Sequence, residues 1–92
     1  MVGNVGSVEL QLSEIWKEAL GTQDIHLDSN FFEAGGDSLQ MMTMLFRVGE
    51  VFGVEVHPGV LFERPTLSAL ADHIYSLQLP LANREVAETG ML

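Results

Sequence analysis

The chain has 92 residues, 47% of them hydrophobic and 18% charged, which indicates one small folded domain. Its formal charge of -9, with only four basic residues, argues against unaided binding to nucleic acid and favours partners that carry basic patches. The absence of Cys excludes disulfides, thiolate zinc sites and cysteine nucleophiles. With no apolar run of the ~20 residues that a membrane span needs and no visible signal peptide, we expect a soluble, cytoplasmic protein.

The first part of the chain predicts a helix followed by a long loop. Residues 1–7 are expected to form a disordered lead-in, with Ser7 as the N-cap of a helix from Val8 to Leu20. Residues 22–37 have no sustained hydrophobic period, and a loop of that length in so small a domain is often functional. Four apolar residues are expected to anchor this loop to the core: Ile25, Leu27, Phe31 and Phe32.

Three further helices are predicted after the loop. Asp37 is expected to cap a second helix that ends near Phe52. Pro58 begins a short third helix, because proline is favoured in the first helical turn. Thr66 is expected to cap the last helix, and Pro80 lies just beyond its end.

These elements predict the fold class and the extent of the domain. Three substantial helices, one short helix and no strand pattern indicate an all-α fold, a small four-helix bundle. We expect the domain to span residues 8–79. Residues 80–92 have no clear amphipathic pattern and are expected to form a flexible tail or linker.

The second predicted helix carries two apolar stripes. With ~100° per residue, one stripe contains Met41, Met44, Leu45, Val48 and Phe52. The other contains Leu39, Met42 and Phe46. Two interpretations are open: a central helix buried on both sides, or an exposed second stripe that serves as a docking surface, since an exposed apolar patch usually marks a partner site and flexible Met suits such a surface.

A hydroxyl group lies where the long loop becomes the second helix, at Ser38 in Gly35-Gly36-Asp37-Ser38. Glycines allow close approach of a bulky group, and the N-terminus of a helix favours a phosphate. Ser38 is therefore suited to a phosphoester, although an ordinary Asp cap beside a solvent-facing Ser explains the same four residues. The carboxylate of Asp37 would repel a phosphate on Ser38. If Ser38 is modified, we expect Asp37 to assist a modifying enzyme that is basic or carries a metal ion.

Patterns for other kinds of site are absent from the sequence. A nucleophile elbow would need Gly at Gln40, and no Gly-Lys-Ser/Thr of a P-loop is present. The stretch Asp28-Ser29-Asn30 lacks the Gly that a calcium loop requires. We therefore predict no catalytic residue and no metal site. Three histidines are expected to be surface or capping residues: His26, His57 and His73.

Three motifs occur in order along the chain, within a stretch from about Val8 to Leu77. They are Phe31-Phe32-Glu33-Ala34-Gly35-Gly36-Asp37-Ser38-Leu39, Phe52-Gly53-Val54-Glu55-Val56 and Leu61-Phe62-Glu63-Arg64-Pro65-Thr66-Leu67. Together they resemble the phosphopantetheine-binding carrier proteins, which are the peptidyl and acyl carrier domains of nonribosomal peptide and polyketide synthases.

The resemblance implies an acyl-carrier-protein-like fold and a carrier that performs no catalysis. A phosphopantetheinyl transferase would move 4'-phosphopantetheine from coenzyme A onto Ser38, with Gly36 and Asp37 beside the cofactor. The thiol of the arm would hold an aminoacyl, peptidyl or acyl group as a thioester and carry it between biosynthetic enzymes. The thiol of the cofactor would also explain why the chain needs no Cys.

The resemblance also implies a set of partners and the residues that meet them. The partners would be an adenylation or acyl-loading enzyme and condensation, ketosynthase, tailoring or thioesterase domains. Leu39, Met42 and Phe46 match positions that commonly contact partners, which favours the docking interpretation. Arg47 borders this stripe and is expected to be solvated or to add a charge contact. We expect a monomer with no nucleic-acid or membrane partner.

Alternatives to a peptidyl carrier remain open from the sequence. The motifs look more like those of peptidyl carriers than of fatty-acid carriers, but a polyketide acyl carrier shares them. From a different class, a helical protein-interaction adaptor would use the same apolar stripe with Ser38 unmodified. A small serine hydrolase is a third and weaker alternative.

Overall fold

The computed structural model describes residues 5–79 and forms four helices within them. They are α1 (Val5–Leu20), α2 (Ser38–Phe52), α3 (Pro58–Glu63) and α4 (Leu67–Gln78). The predicted all-α, four-helix architecture is confirmed. The predicted tail at 80–92 lies outside the described residues. None of the helices within residues 5–79 combines the length and the apolar character that crossing a membrane would require.

Helix α1 begins earlier than predicted. It starts at Val5 rather than at Val8, so Ser7 lies inside the helix and is not its N-cap. Residues 5–7 of the predicted lead-in are therefore helical, and residues 1–4 lie outside the described part of the chain. Gly and Ser destabilise a helix relative to Ala by only about 1 kcal/mol or less each. An extra turn on a helix that is already anchored tolerates this cost.

The other helix boundaries follow the predicted caps. Thr66 Oγ1 accepts a hydrogen bond from the Ala69 N–H at 3.3 Å, which satisfies one free donor at the start of α4. Gly53 ends α2 with a left-handed φ of 70°, and its N–H donates to Gly49 O at 3.0 Å. A left-handed residue at this position favours glycine, because a Cβ would clash with the backbone.

The core lies between the three long helices and is closed by residues of the loop. Nine of its side chains are fully screened from solvent: Leu12, Trp16, Phe31, Met44, Val48, Leu61, Leu70, Ala71 and Ile74. Trp16 meets Phe31 edge to face, with ring centroids 5.2 Å apart. Within residues 5–79 the Trp16 Nε1–H has no acceptor, so packing holds the indole in place. The prediction of Trp16 as a core residue is confirmed, whereas Tyr75 is only half-buried at the edge of the core.

The loop between α1 and α2 is tied to the junction of α3 and α4. Ile25 and Phe31 are buried as predicted, and Phe32 is half-buried and stacks on Phe62 at 5.1 Å. The prediction for Leu27 is wrong, since its side chain is 51% exposed, although its carbonyl accepts a backbone hydrogen bond. Three backbone hydrogen bonds join the two segments: Phe31 N–H to Pro65 O (2.8 Å), Leu67 N–H to Ser29 O (3.0 Å) and Ser68 N–H to Leu27 O (2.9 Å).

Candidate functional site

Ser38 is the first residue of α2 and is exposed to solvent. Among residues 5–79 no hydrogen-bond acceptor meets the N–H groups of Ser38 and Leu39. The first turn of α2 contains no acidic residue. Free N–H groups and the positive end of the helix dipole favour an anionic group at this position. The hydroxyl is thus both accessible and placed where a phosphate is stabilised.

Asp37 and Gln40 form a capping box at the start of α2. The Asp37 carboxylate accepts a hydrogen bond from the Gln40 N–H at 2.8 Å, and Gln40 Oε1 accepts one from the Asp37 N–H at 2.9 Å. The prediction of Asp37 as the cap is confirmed. The sequence analysis did not predict the hydrogen bond from the Asp37 N–H to Gln40. A Gln three residues after an Asp cap is nevertheless the sequence signature of a capping box.

Gly35 and Gly36 are required for different reasons. Gly35 has a φ of 103°, a left-handed conformation that side chains avoid. Gly36 packs against Phe31, and a Cβ at Gly36 would overlap the edge of the phenyl ring and lie 2.7 Å from Phe31 O. The expected room for an approaching group is therefore filled at Gly36 by the chain's own Phe31.

The second apolar stripe of α2 lies on the surface. Leu39, Met42 and Phe46 are 76%, 51% and 68% exposed, so the interpretation of a helix buried on both sides is wrong. All five residues of the first stripe are buried: Met41, Met44, Leu45, Val48 and Phe52. The short α3 leaves this side of α2 uncovered. Met42 and Phe46 border an open groove of about 400 Å³ between α2 and the segment that leads into α3.

Arg47 takes part in an ion-pair network beside this stripe. Its Nη1 lies 2.8 Å from Glu50 Oε1, and its Nε lies 4.0 Å from Glu18 Oε1 on α1. The hydrogen bond to Glu50 raises the pKa of the guanidinium above its usual range. Arg47 is exposed to solvent, as expected, and its charge is paired with these two carboxylates.

The histidines do not converge on a common site. His26 is exposed and its Nε2 lies 2.7 Å from Asp24 Oδ1. His57 is the N-cap of α3 without a capping hydrogen bond from its side chain, and His73 is half-buried on α4. In the part of the chain that the structure describes, no three His, Asp or Glu side chains are grouped closely enough to hold a metal ion.

Residues 11–74 match the family described as "Phosphopantetheine attachment site". The chain belongs to this family. The match spans the loop, the capped start of α2 and most of α4, and so contains the site described above. The resemblance that the three sequence motifs indicate is thereby confirmed.

A curated relative is much longer than this chain. The chain is 51% identical to gramicidin S synthase 2 from Brevibacillus brevis over 67 residues, which is 73% of this chain and 2% of that protein. It therefore corresponds to a small part of that relative's length.

Among solved structures, an active-site mutant peptidyl carrier protein is 36% identical with a TM-score of 0.77, covering 80% of this chain and 82% of that one. A peptidyl carrier protein in complex with the phosphopantetheine transferase Sfp and coenzyme A is 40% identical with a TM-score of 0.71, covering 73% and 87%. This carrier domain is thus of the peptidyl type, and its family is one of non-catalytic carriers.

Proposed function

We propose that Ser38 is the residue that carries the 4'-phosphopantetheine arm, and that the domain holds aminoacyl or peptidyl groups during nonribosomal peptide synthesis. The observation that supports this most directly is the exposed Ser38 hydroxyl at the first position of α2, inside the matched segment. We also propose a cytoplasmic location, because coenzyme A, the donor of the arm, is a cytoplasmic metabolite.

The surroundings of Ser38 suit a phosphodiester. The free N–H groups of Ser38 and Leu39 point out of the first turn, and an anion at such a helix end gains about 0.3–1 kcal/mol. Asp37 is the acidic residue nearest to Ser38 in the sequence, and its carboxylate accepts the hydrogen bond from the Gln40 N–H. This bond and the positive end of the helix dipole partly offset the negative charge of the Asp37 carboxylate.

Attachment makes Ser38 Oγ the nucleophile. The oxygen forms a new bond to the phosphorus that bears the pantetheine, the phosphoanhydride bond of coenzyme A breaks, and adenosine 3',5'-bisphosphate leaves with the bonding electrons. The hydroxyl proton goes to a base of the transferase, since no basic side chain within residues 5–79 hydrogen-bonds to Ser38. When attached, the arm supplies the thiol that holds the cargo as a thioester.

We propose that Leu39, Met42 and Phe46 form the surface that meets the transferase and the adenylation enzyme. Their side chains are apolar and exposed, and they begin one residue after Ser38 on the same helix. Burying such side chains against a partner is favourable by about 25 cal/mol per Å² of apolar surface. The structure of a related peptidyl carrier protein with Sfp supports a transferase as one such partner.

The experiment that tests Ser38 is intact-mass measurement after incubation with coenzyme A and the transferase Sfp. The wild-type chain should gain one phosphopantetheine and Ser38→Ala should gain none. Ser76→Ala is a matched control, because Ser76 is also an exposed helical Ser and its Oγ donates to a backbone carbonyl. It should be modified like the wild type. A bare wild-type polypeptide, or a gain that persists in Ser38→Ala, would refute the proposal.

A further inference from the structure

Phe31 lies directly behind the segment that presents Ser38. Its side chain is fully buried, and Gly36 both packs on its ring and donates its N–H to Phe31 O at 3.0 Å. Gly36 is followed by Asp37, the cap of α2, and then by Ser38. Only one residue therefore separates the Phe31 contact from the attachment serine.

Phe31 is also held from its other sides. Its N–H donates to Pro65 O at 2.8 Å, and its ring meets Trp16 edge to face at 5.2 Å and Phe32 at 5.7 Å. A side chain that is packed on several sides at the density of a protein interior cannot move without moving its neighbours. Phe31 is thus a rigid support against which Gly36 is set.

We propose that Phe31 is a positioning residue for the modification of Ser38, an inference that rests on the proposed function. The ring sets the place of Gly36, Gly36 sets the direction in which the chain enters the Asp37 cap, and the cap sets where α2 begins. Ser38 Oγ is thereby held at one position relative to the docking stripe of Leu39, Met42 and Phe46. The transferase that binds this stripe then finds the nucleophile already in place.

The test uses Gly36→Ala, which removes no atom from the core but places a methyl group against Phe31. Displacing a reacting group by ~1 Å can cost up to ~10²-fold, so we expect kcat for loading by Sfp to fall about tenfold or more. The KM for the carrier should change little, because the docking stripe is intact. The control is Ile74→Ala, a core truncation on α4 that lowers stability outside the Phe31–Ser38 segment.

A measurement without the transferase separates positioning from general loss of stability. In Gly36→Ala, amide exchange at the Gln40 N–H, which donates to Asp37, should accelerate, while the Ala69 N–H capped by Thr66 should not change. In Ile74→Ala, amide exchange at the Gln40 N–H should not accelerate more than exchange at other helical N–H groups. Replacing Phe31 by Leu in the Gly36→Ala background should restore only part of kcat, since it relieves the overlap with the ring and leaves the close contact with Phe31 O.

The outcomes distinguish this inference from the proposed function. The positioning role is refuted if wild type is loaded and a folded Gly36→Ala variant is loaded equally fast. It is also refuted if Ile74→Ala loses as much kcat as Gly36→Ala at the same stability. If wild type is not loaded on Ser38 at all, the proposed function and this inference fail together. Should Gly36→Ala not fold, Phe31→Leu alone must lower kcat and accelerate exchange at Gln40, and normal values for both would refute the inference.

Discussion

Asp37 and Gln40 exchange two hydrogen bonds across the first turn of α2, at 2.8 and 2.9 Å, so that each satisfies the other's backbone N–H. The helix that begins with Ser38 therefore starts at a defined residue, although the loop before it contains two glycines. The carboxylate of Asp37 thus has a structural role that is separate from any contact with a modifying enzyme.

The two roles of Asp37 are separated by two substitutions. Asp37→Ala loses the cap and should cost about 1 kcal/mol of unfolding free energy, whereas Asp37→Asn should cost almost nothing because Asn caps equally well. If the negative charge assists the modifying enzyme, loading of Ser38 should be slow in both variants. Urea unfolding and intact-mass time courses measure the two quantities.

Thr66→Ala provides the control for the Asp37 variants. It removes the cap of α4 and should cost a similar ~1 kcal/mol without slowing the loading of Ser38. An Asp37→Asn variant as unstable as Asp37→Ala would contradict the capping role. Wild-type loading of Asp37→Asn would show that the charge does not assist the enzyme.

Met42 and Met44 form a matched pair for testing the docking surface. Met42 is 51% exposed, whereas Met44, two residues along α2, is fully buried. Met44→Ala should cost about 2–5 kcal/mol of unfolding free energy, the usual cost for a buried Met. Met42→Ala and Phe46→Ala should leave thermal stability nearly unchanged and weaken turnover by the partner enzymes instead.

The measurements for this pair are thermal unfolding and the rate of aminoacyl loading by a cognate adenylation enzyme, at a temperature where all variants are folded. Met44→Ala should load at close to the wild-type rate under those conditions. A loss of several kcal/mol in Phe46→Ala would show that its ring is buried in solution, and normal turnover in both surface variants would contradict the docking proposal.

The two stripes of α2 illustrate how far the sequence leads. Periodicity separates Met41 and Met44 from Met42 and Phe46 without any structure, because the angle per residue is a local property of a helix. Which stripe is covered depends on the elements that pack beside α2. The six-residue α3 covers too little of the helix to bury the second stripe, and its packing is a tertiary property.

The site shows the same division between local and tertiary information. Caps at Asp37 and Thr66 were predictable, since a cap bonds to a residue three positions away. The need for Gly at Gly36 was not, because it arises from Phe31, whose place depends on closure of the whole loop against Pro65. Local rules thus predict where α2 begins but not what supports it.

Gly53 and Gly59 should respond to the same substitution with opposite signs. Gly53→Ala forces a side chain into the left-handed region and should cost about 1–2 kcal/mol of unfolding free energy. Gly59 lies in α3 with open space around its Cα, so Gly59→Ala should stabilise by about 0.4–1 kcal/mol. Urea unfolding checks both. Gly53→Asn should be milder than Gly53→Ala, and equal effects at the two positions would contradict the assigned conformations.

His73 should make the fold less stable as the pH falls. Burial lowers the pKa of His73 below its ordinary value of about 6.5, and the positive charge of Arg64 lowers it further. Well above pH 6.5 the imidazole is neutral in both the folded and the unfolded chain. Below that pH the unfolded chain binds a proton more readily than the folded chain, so stability is lost as the pH falls through about 6.5.

Unfolding free energies of wild type and His73→Gln between pH 8 and pH 5 isolate this contribution from that of the carboxylates. The wild type should lose more stability than His73→Gln over this range, by a small amount because the imidazole is only half-buried and solvent screens its charge. Arg64→Gln should move the NMR-measured pKa of His73 back toward its ordinary value. Parallel pH profiles for wild type and His73→Gln, or a His73 that titrates above about 6.5, would contradict the assignment.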